Sequence, residues 1–293
     1  MTLPEPFLDR RALTRAFDRA ATGYDSAASL QQRVGRELLQ RLDYFALTPR
    51  WIVDLGAGTC QADAPLRQRY RSAQVLSLDL AEGMLRAAPR PRWPRRAPLR
   101  VCADAAALPL ADDSVDLVVS NLMLQWCDPP QSVFSEVARV LRPKGLFLFT
   151  SFGPQTLQEL RAAWRSADAG EHVSPFLDMP ELGAALMHSG LAEPVLDIES
   201  IALFYPDALA LMRALKQIGA TNAAANRRRG LTGRALLQQV SASYEQLRER
   251  RGLPATYEVI FGAAFATADE PTGQAELRSG EHLVPLSSLR RRS

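Results

Sequence analysis

The segment Asp54-Leu55-Gly56-Ala57-Gly58-Thr59 sets an acid and two glycines at the end of a short apolar run, Trp51–Leu55. Glycines at such a point let the backbone turn tightly and approach a ligand with no Cβ in the way. A lone Gly-x-Gly also marks ordinary turns, so the neighbouring acids matter. Asp79 ends a second apolar run about twenty residues further on, where a carboxylate can accept hydrogen bonds from ribose hydroxyls. Its charge would repel a 2′-phosphate. Asp104 follows a third run and can accept a hydrogen bond from an adenine amino group, with Ala105 leaving room for the ring. A turn or helix cap is the structural alternative for Asp104. Leu80 and Met84, just past Asp79, and Asn121, at the end of a fourth run, complete a candidate nucleoside site with Asp54, Gly56, Ala57 and Gly58.

Two cofactor classes use such a site. A dinucleotide fingerprint needs a third glycine three residues after the second, so that a helix N-terminus can hold pyrophosphate. That position is Gln61, preceded by Cys60. S-adenosylmethionine has no pyrophosphate and needs no such glycine, so the departure favours a methyl donor over a nicotinamide. The fourth run leads into Asn121-Leu122-Met123-Leu124-Gln125-Trp126, which is not the Asn/Asp-Pro-Pro-aromatic segment used to methylate planar amino groups. It offers no acid–base pair, and His172, His188 and His282 stand isolated, as surface or structural histidines do. No general base and no metal are expected. That absence suits a nucleophile that is already anionic, such as a carboxylate.

The elements that must position these residues follow from periodicity. Helices are expected over about 9–25 and 26–42, with Leu30, Val34, Leu38 and Leu39 at helical spacing in the second. Strands are expected at 51–55, 74–79, 99–103, 115–120 and 146–152, the last after the turn signal Arg142-Pro143-Lys144-Gly145. Helices at 62–70, 81–88 and 130–141 alternate with them, the pattern of a mostly parallel sheet covered on both faces. Beyond lie helices at 156–167 and 179–189, a strand at 194–205, a helical block at 206–251 and a last strand at 255–265. The expected fold is an α/β, seven-stranded Rossmann-like sheet whose last strand is antiparallel. Residues 1–205 and 253–266 form its core, 206–252 a helical cap inserted between strands six and seven, and 267–293 a disordered tail.

At 293 residues the chain holds one large α/β domain with an insertion, and 47% hydrophobic residues can fill its core. The net charge of +3 is too small to imply nucleic acid, and the basic runs Arg95-Arg96, Arg227–Arg229 and Arg290–Arg292 lack interleaved aromatics. No apolar run approaches membrane-spanning length, and residues 1–15 lack a signal-peptide core. Cys60, Cys102 and Cys127 are widely spaced, which argues against a disulfide framework or zinc site. A reduced, cytoplasmic protein is expected, with no nucleic-acid or membrane partner and as a monomer.

With these residues in place the chain resembles class I S-adenosylmethionine methyltransferases and, more narrowly, the malonyl-acyl-carrier-protein O-methyltransferases of biotin synthesis. The resemblance runs from about residue 11 to 266. It includes Ala16-Phe17-Asp18-Arg19-Ala20-Ala21 with Tyr24, the glycine loop, Leu108-Pro109-Leu110, Gln125-Trp126-Cys127 and Phe152-Gly153-Pro154. It extends to the segment Met212–Asn222 and to Tyr257. Where the family usually has a third loop glycine, this chain has Cys60.

The resemblance implies methyl transfer from S-adenosylmethionine to the free carboxylate of malonyl-acyl-carrier protein or malonyl-coenzyme A, the start of pimeloyl synthesis for biotin. It implies Tyr24 closing over the donor, and Gln125, Arg213 and Lys216 as anchors of the substrate carboxylate. The carrier in such a system is acidic, and Arg227, Arg228, Arg229 and Arg234 are its expected docking patch. The alternatives are a methyltransferase for a free small acid such as aconitate, and a methyltransferase-fold assembly factor without methyl transfer.

Overall fold

The computed structural model describes residues 8–89, 98–168, 176–221, 223 and 233–267. The seven apolar runs become strands: β1 (Trp51–Leu55), β2 (Gln74–Asp79), β3 (Leu99–Cys102), β4 (Val115–Ser120), β5 (Leu141–Phe152), β6 (Leu191–Tyr205) and β7 (Leu253–Ala266). They form one sheet in the order β3-β2-β1-β4-β5-β7-β6. Pairings among β1 to β5 are parallel, and β7 lies antiparallel between β5 and β6. The chain runs outward from β1 to β3, then returns to β4 on the other side of β1. The carboxyl ends of β1 and β4 therefore meet at the topological switch point, where open α/β sheets bind ligands.

Side chains alternate between the two faces, so neighbouring residues of one strand enter different cores. Ile52, Leu117 and Leu148 pack with Val34 and Leu38 of α3 (Ser29–Gln40) and with Leu160 of α7 (Gln158–Arg165). Val53, Val118, Phe147 and Phe149 pack on the other face with Phe134 and Val137 of α6 (Pro130–Val140) and Leu186 of α8 (Met179–His188). Asp178 caps α8 in a capping box, accepting from Glu181 N–H at 2.8 Å while Glu181 accepts from Asp178 N–H. The crossover helices α4 (Asp63–Arg69) and α5 (Glu82–Ala87) follow β1 and β2.

Two boundaries differ most from the sequence reading. The first helix is not continuous over 9–25. α1 (Arg10–Ala20), capped by Asp9 accepting from Ala12 N–H, ends before Gly23, and the short α2 (Tyr24–Ala27) restarts the chain in a new direction. Strand β5 begins at Leu141, so the Arg142–Gly145 turn signal lies within it: Leu141 pairs with Val115, then the register shifts before Leu146 meets Leu117. Lys144 carries a φ of +66° at that irregularity. The helical block resolves into α9 (Ala208–Gln217) and α10 (Arg234–Glu245) between β6 and β7. Residues 268–293 lie outside the described residues, so the expectation for the tail has no structural counterpart.

Candidate active site

A cavity of about 400 Å³ opens beyond the carboxyl ends of the central strands, walled by α1, α2 and α3 on one side and by α9 on another. Its nucleoside-like end is built by the glycine turn. Gly56 has φ +73°, and a Cβ there would stand 2.2 Å from Met123 Cγ, so both conformation and space demand glycine. Gly58 has φ +53° and nothing within 4 Å of a would-be Cβ: its need is conformational, and the space beside it is open. Its N–H donates to Asp79 Oδ2 at 2.8 Å, while Ala81 N–H donates to Asp79 Oδ1 at 2.8 Å. Burial holds the Asp79 carboxyl above its ordinary range, against the lowering pull of those two N–H groups.

Behind the turn stands Asp54, buried, with Oδ2 lacking any protein partner. Burial, reinforced by the charges of Asp79 and Asp63, pushes its carboxyl up to about 7. The turn is tied to α2 through Asp25, which accepts from Thr59 Oγ1 at 2.5 Å and Gln61 Nε2 at 2.7 Å. Gln61, the residue that breaks the dinucleotide fingerprint, thus has a structural partner. Cys60 adopts φ +58°, so the backbone keeps a glycine-type conformation with a cysteine in it. Tyr24 lines the cavity, and burial with the charges of Asp79 and Asp25 raises its phenol.

Tyr24, Gly56, Gly58, Asp79, Leu80, Met84, Asp104, Ala105 and Asn121 all reach the wall; Ala57 and Asp54 do not. Asp104 carries a partner that the sequence did not predict. Arg10, on the inner face of α1, forms an ion pair with it, and Ala106 N–H donates to it at 2.9 Å. Partial burial would raise the Asp104 carboxyl, but these two partners outweigh it and hold it low. Arg10 shares its face with Leu13, Thr14 and Phe17, a spacing of i, i+3, i+4 and i+7 that marks one side of a helix. That phase was readable; which of the arginines of α1 would turn inward was not marked by residue type.

Asn121 has both polar ends occupied. Its Nδ2 donates to Gln31 C=O at 3.0 Å and its Oδ1 accepts from Thr150 Oγ1 at 2.9 Å, so its amide clamps β4 to α3. Gln125 lines the cavity with one amide N–H donating to Leu122 C=O at 2.6 Å, and its Oε1 is buried without a partner.

The second lobe is apolar and aromatic. Phe152 meets Phe176 edge-on and Tyr257 at a tilt, with ring centroids 5.9 and 5.8 Å apart. Leu203, Tyr205 and Leu215 close the lobe. Burial and the neighbouring Tyr205 keep the Tyr257 phenol protonated well above its ordinary value. The aromatic wall was missed in sequence because its members come from four separated segments.

Arg213 and Lys216 are not brought to the cavity. Helix α9 turns Ala214, Leu215 and Ile218 inward, while Arg213 donates to Leu209 C=O at 3.2 Å on the solvent side and Lys216 is exposed. Among the described residues, Arg10 is the one cation at the wall. Arg234 begins α10, exposed and away from the cavity, and Arg227, Arg228 and Arg229 lie outside the described residues.

The donor set fits an adenosyl methyl donor: a carboxylate acceptor at Asp79, open space at Gly58, and an orphaned acid at Asp54 whose charge a cationic ligand would balance. Sheet order and site together define a class I methyltransferase. Residues 53–149, from β1 through β5, match the Methyltransferase domain family. A putative methyltransferase structure from Bacillus halodurans C-125 shares the fold at a TM-score of 0.54, with 16% identity over 80% of this chain and 100% of that one. The chain is 48% identical to the malonyl-[acyl-carrier protein] O-methyltransferase of Methylovorus sp. (strain MP688), covering 90% of this chain and 92% of that protein. It is 46% identical to the protein of the same name from Laribacter hongkongensis (strain HLHK9), covering 95% and 96%. The chain belongs to the malonyl-[acyl-carrier protein] O-methyltransferase family.

Proposed function

We propose that the protein methylates the free carboxylate of a malonyl thioester, carried on acyl-carrier protein or coenzyme A, opening pimeloyl synthesis for biotin. The observation that carries this reading is one cavity joining a nucleoside-binding end to an apolar lobe with no histidine or lysine among its described lining residues. A malonyl carboxylate is ionised at neutral pH, so no base is required. S-adenosylmethionine, when bound, supplies a methyl group on a positively charged sulfur.

The chain's own residues do the rest. Asp79 accepts from the ribose hydroxyls, and Asp104 faces the adenine end, with Arg10 holding its position. Tyr24 and Phe17 cover that end from the N-terminal helices. Phe152, Phe176, Leu203 and Leu215 exclude water from the carboxylate, and loss of solvation makes a carboxylate a better nucleophile. The Tyr205 and Tyr257 hydroxyls and the free N–H of Gln125 are the neutral donors available to hold the spectator oxygen. A neutral anchor leaves the sulfonium as the main counter-charge and does not blunt the attacking oxygen. The inserted segment, through α9 and the residues just after it, acts as a cap over this lobe.

No helix among the described residues is long and apolar enough to cross a membrane. A monomer working in the cytoplasm, without nucleic acid or membrane, completes the proposal. The test is transfer of labelled methyl from S-adenosylmethionine to malonyl-carrier protein, malonyl-coenzyme A and free small acids. Base-labile label on the thioesters is expected. Label confined to free acids, or donor binding with no label on any acceptor, would overturn the reading.

A further inference from the structure

Arg11, Arg15 and Arg19 recur at i, i+4 and i+8 along α1, on the side away from buried Leu13 and Ala16. All three are exposed, and among the described residues none has a hydrogen-bond or ion-pair partner. Helix stability does not explain them. Like charges four residues apart on a helix repel and weaken it. The first turn of α1 carries no acid, so Arg10 and Arg11 also oppose the helix dipole. The single acid of the helix, Asp18, is committed elsewhere: its Oδ1 accepts from Gly83 N–H at 2.8 Å and fastens α1 to α5. Arg10 is used inward, against Asp104. The outer stripe is therefore exposed and unneutralised, at a local electrostatic cost.

Position gives the stripe its use. The inner face of the same helix, through Leu13, Thr14 and Phe17, is a wall of the cavity. A body seated on the outer face stands about one helix diameter, roughly 10 Å, from the site. Among the described residues the cavity wall carries Asp79, Asp104 and Asp128 and a single paired cation, a lining that does not attract an acidic protein surface.

We propose that Arg11, Arg15 and Arg19 dock the acidic surface of the carrier protein, so that only its acylated arm enters the cavity. This rests on the malonyl thioester reading above. It places the docking surface on α1, where the sequence alone pointed to Arg227–Arg229 and Arg234.

The experiment compares the parent protein with a triple variant, Arg11→Gln, Arg15→Gln and Arg19→Gln. A control triple takes three exposed arginines remote from α1: Arg36→Gln, Arg71→Gln and Arg165→Gln. Methyl transfer is measured on malonyl-carrier protein and on malonyl-coenzyme A over a range of ionic strengths. Removing like-charge repulsion should leave Tm and donor affinity intact or raise Tm slightly, so a folding defect would be visible. For the α1 triple, KM for the carrier substrate should rise about tenfold, as expected for loss of complementary rim charges. Its salt dependence should flatten, with kcat and KM for malonyl-coenzyme A unchanged and the control triple like the parent. An unchanged carrier KM, an equal loss on both substrates, or an equal effect of the control triple would overturn the docking surface. A parent protein inactive on both thioesters would instead overturn the proposed function, and this surface with it.

Discussion

Asp79 at the cavity wall and Asp54 behind the glycine turn are both held above their ordinary range, first of all by burial. For Asp54 the folded-state value of about 7 stands above an ordinary 3.8, so the native state keeps a proton that the unfolded chain has already lost. Its contribution to stability is complete below the ordinary value and disappears as pH rises through about 7. The ligand-free protein should therefore lose Tm between about pH 4 and pH 7 and level off above that, and Asp54→Asn, neutral throughout, should flatten that decline. Donor affinity should move the other way, tightening as the acid ionises opposite a cationic ligand. Calorimetric titration of Asp54→Asn should show this pH dependence gone and affinity near neutrality several-fold weaker, because Asp54 stands behind the wall and acts on a cationic ligand through its charge, not by a hydrogen bond. A second contrast separates wall from surface. Tyr257→Phe should raise KM for malonyl-coenzyme A several-fold, about 1 kcal/mol for one neutral hydrogen bond, with donor affinity unchanged. Arg213→Ala and Lys216→Ala should leave both within twofold, because α9 turns those side chains to solvent.

At the scale of elements, the glycine turn between β1 and α4 makes the sharpest prediction. Gly56→Ala must strain a φ of +73° and drive a Cβ into Met123, so it should lower stability by about 2–3 kcal/mol and abolish donor binding. Gly58→Ala meets no atom and strains only φ, about 1–2 kcal/mol, yet its Cβ would enter the space that the ligand needs. Thermal unfolding beside donor titration should thus show a small Tm loss but a large affinity loss for Gly58→Ala. Much of this was legible in the sequence. The strands β1, β2 and β4 stand where short apolar runs end in glycine or a polar residue, because buried parallel strands write themselves as such runs. The internal start of β5 was not legible, since a bulge with Lys144 at positive φ reads as a turn. Nor was the facing of α9. Met212–Gln217 mixes apolar and basic residues, and its phase against the cavity is fixed by packing on β6 and the N-terminal helices, which spacing alone does not encode. Asn121 shows a related limit: it stands at the cavity wall after β4, but its amide is consumed by Gln31 and Thr150, partners that only the fold supplies.

The molecule as a whole is a rigid sheet with the ligand end covered by helices from its own N-terminus. Residues far apart in sequence make that cover: Arg10 meets Asp104, Phe17 meets Trp126 edge-on at 5.5 Å, Asp18 meets Gly83, and Asp9 N–H donates to Ala223 C=O at 2.7 Å. None of these contacts belongs to the sheet, so α1 can open at a free-energy cost well below that of global unfolding. A ligand held between α1 and the strand ends adds contacts to both and couples the two. At a donor concentration 100-fold above Kd, binding should stabilise the native state by about 2.7 kcal/mol. For a domain of this size that corresponds to a Tm rise of about 5–10 °C. The gain should not be spread evenly. Hydrogen exchange should slow most over α1, α2 and the Gly56–Gly58 turn, and least over α8 and β6, which pack away from the glycine turn. Uniform protection would mean that the cover does not move independently of the sheet. Protection confined to the strand ends, with α1 unaffected, would mean that the N-terminal helices do not close on the donor at all.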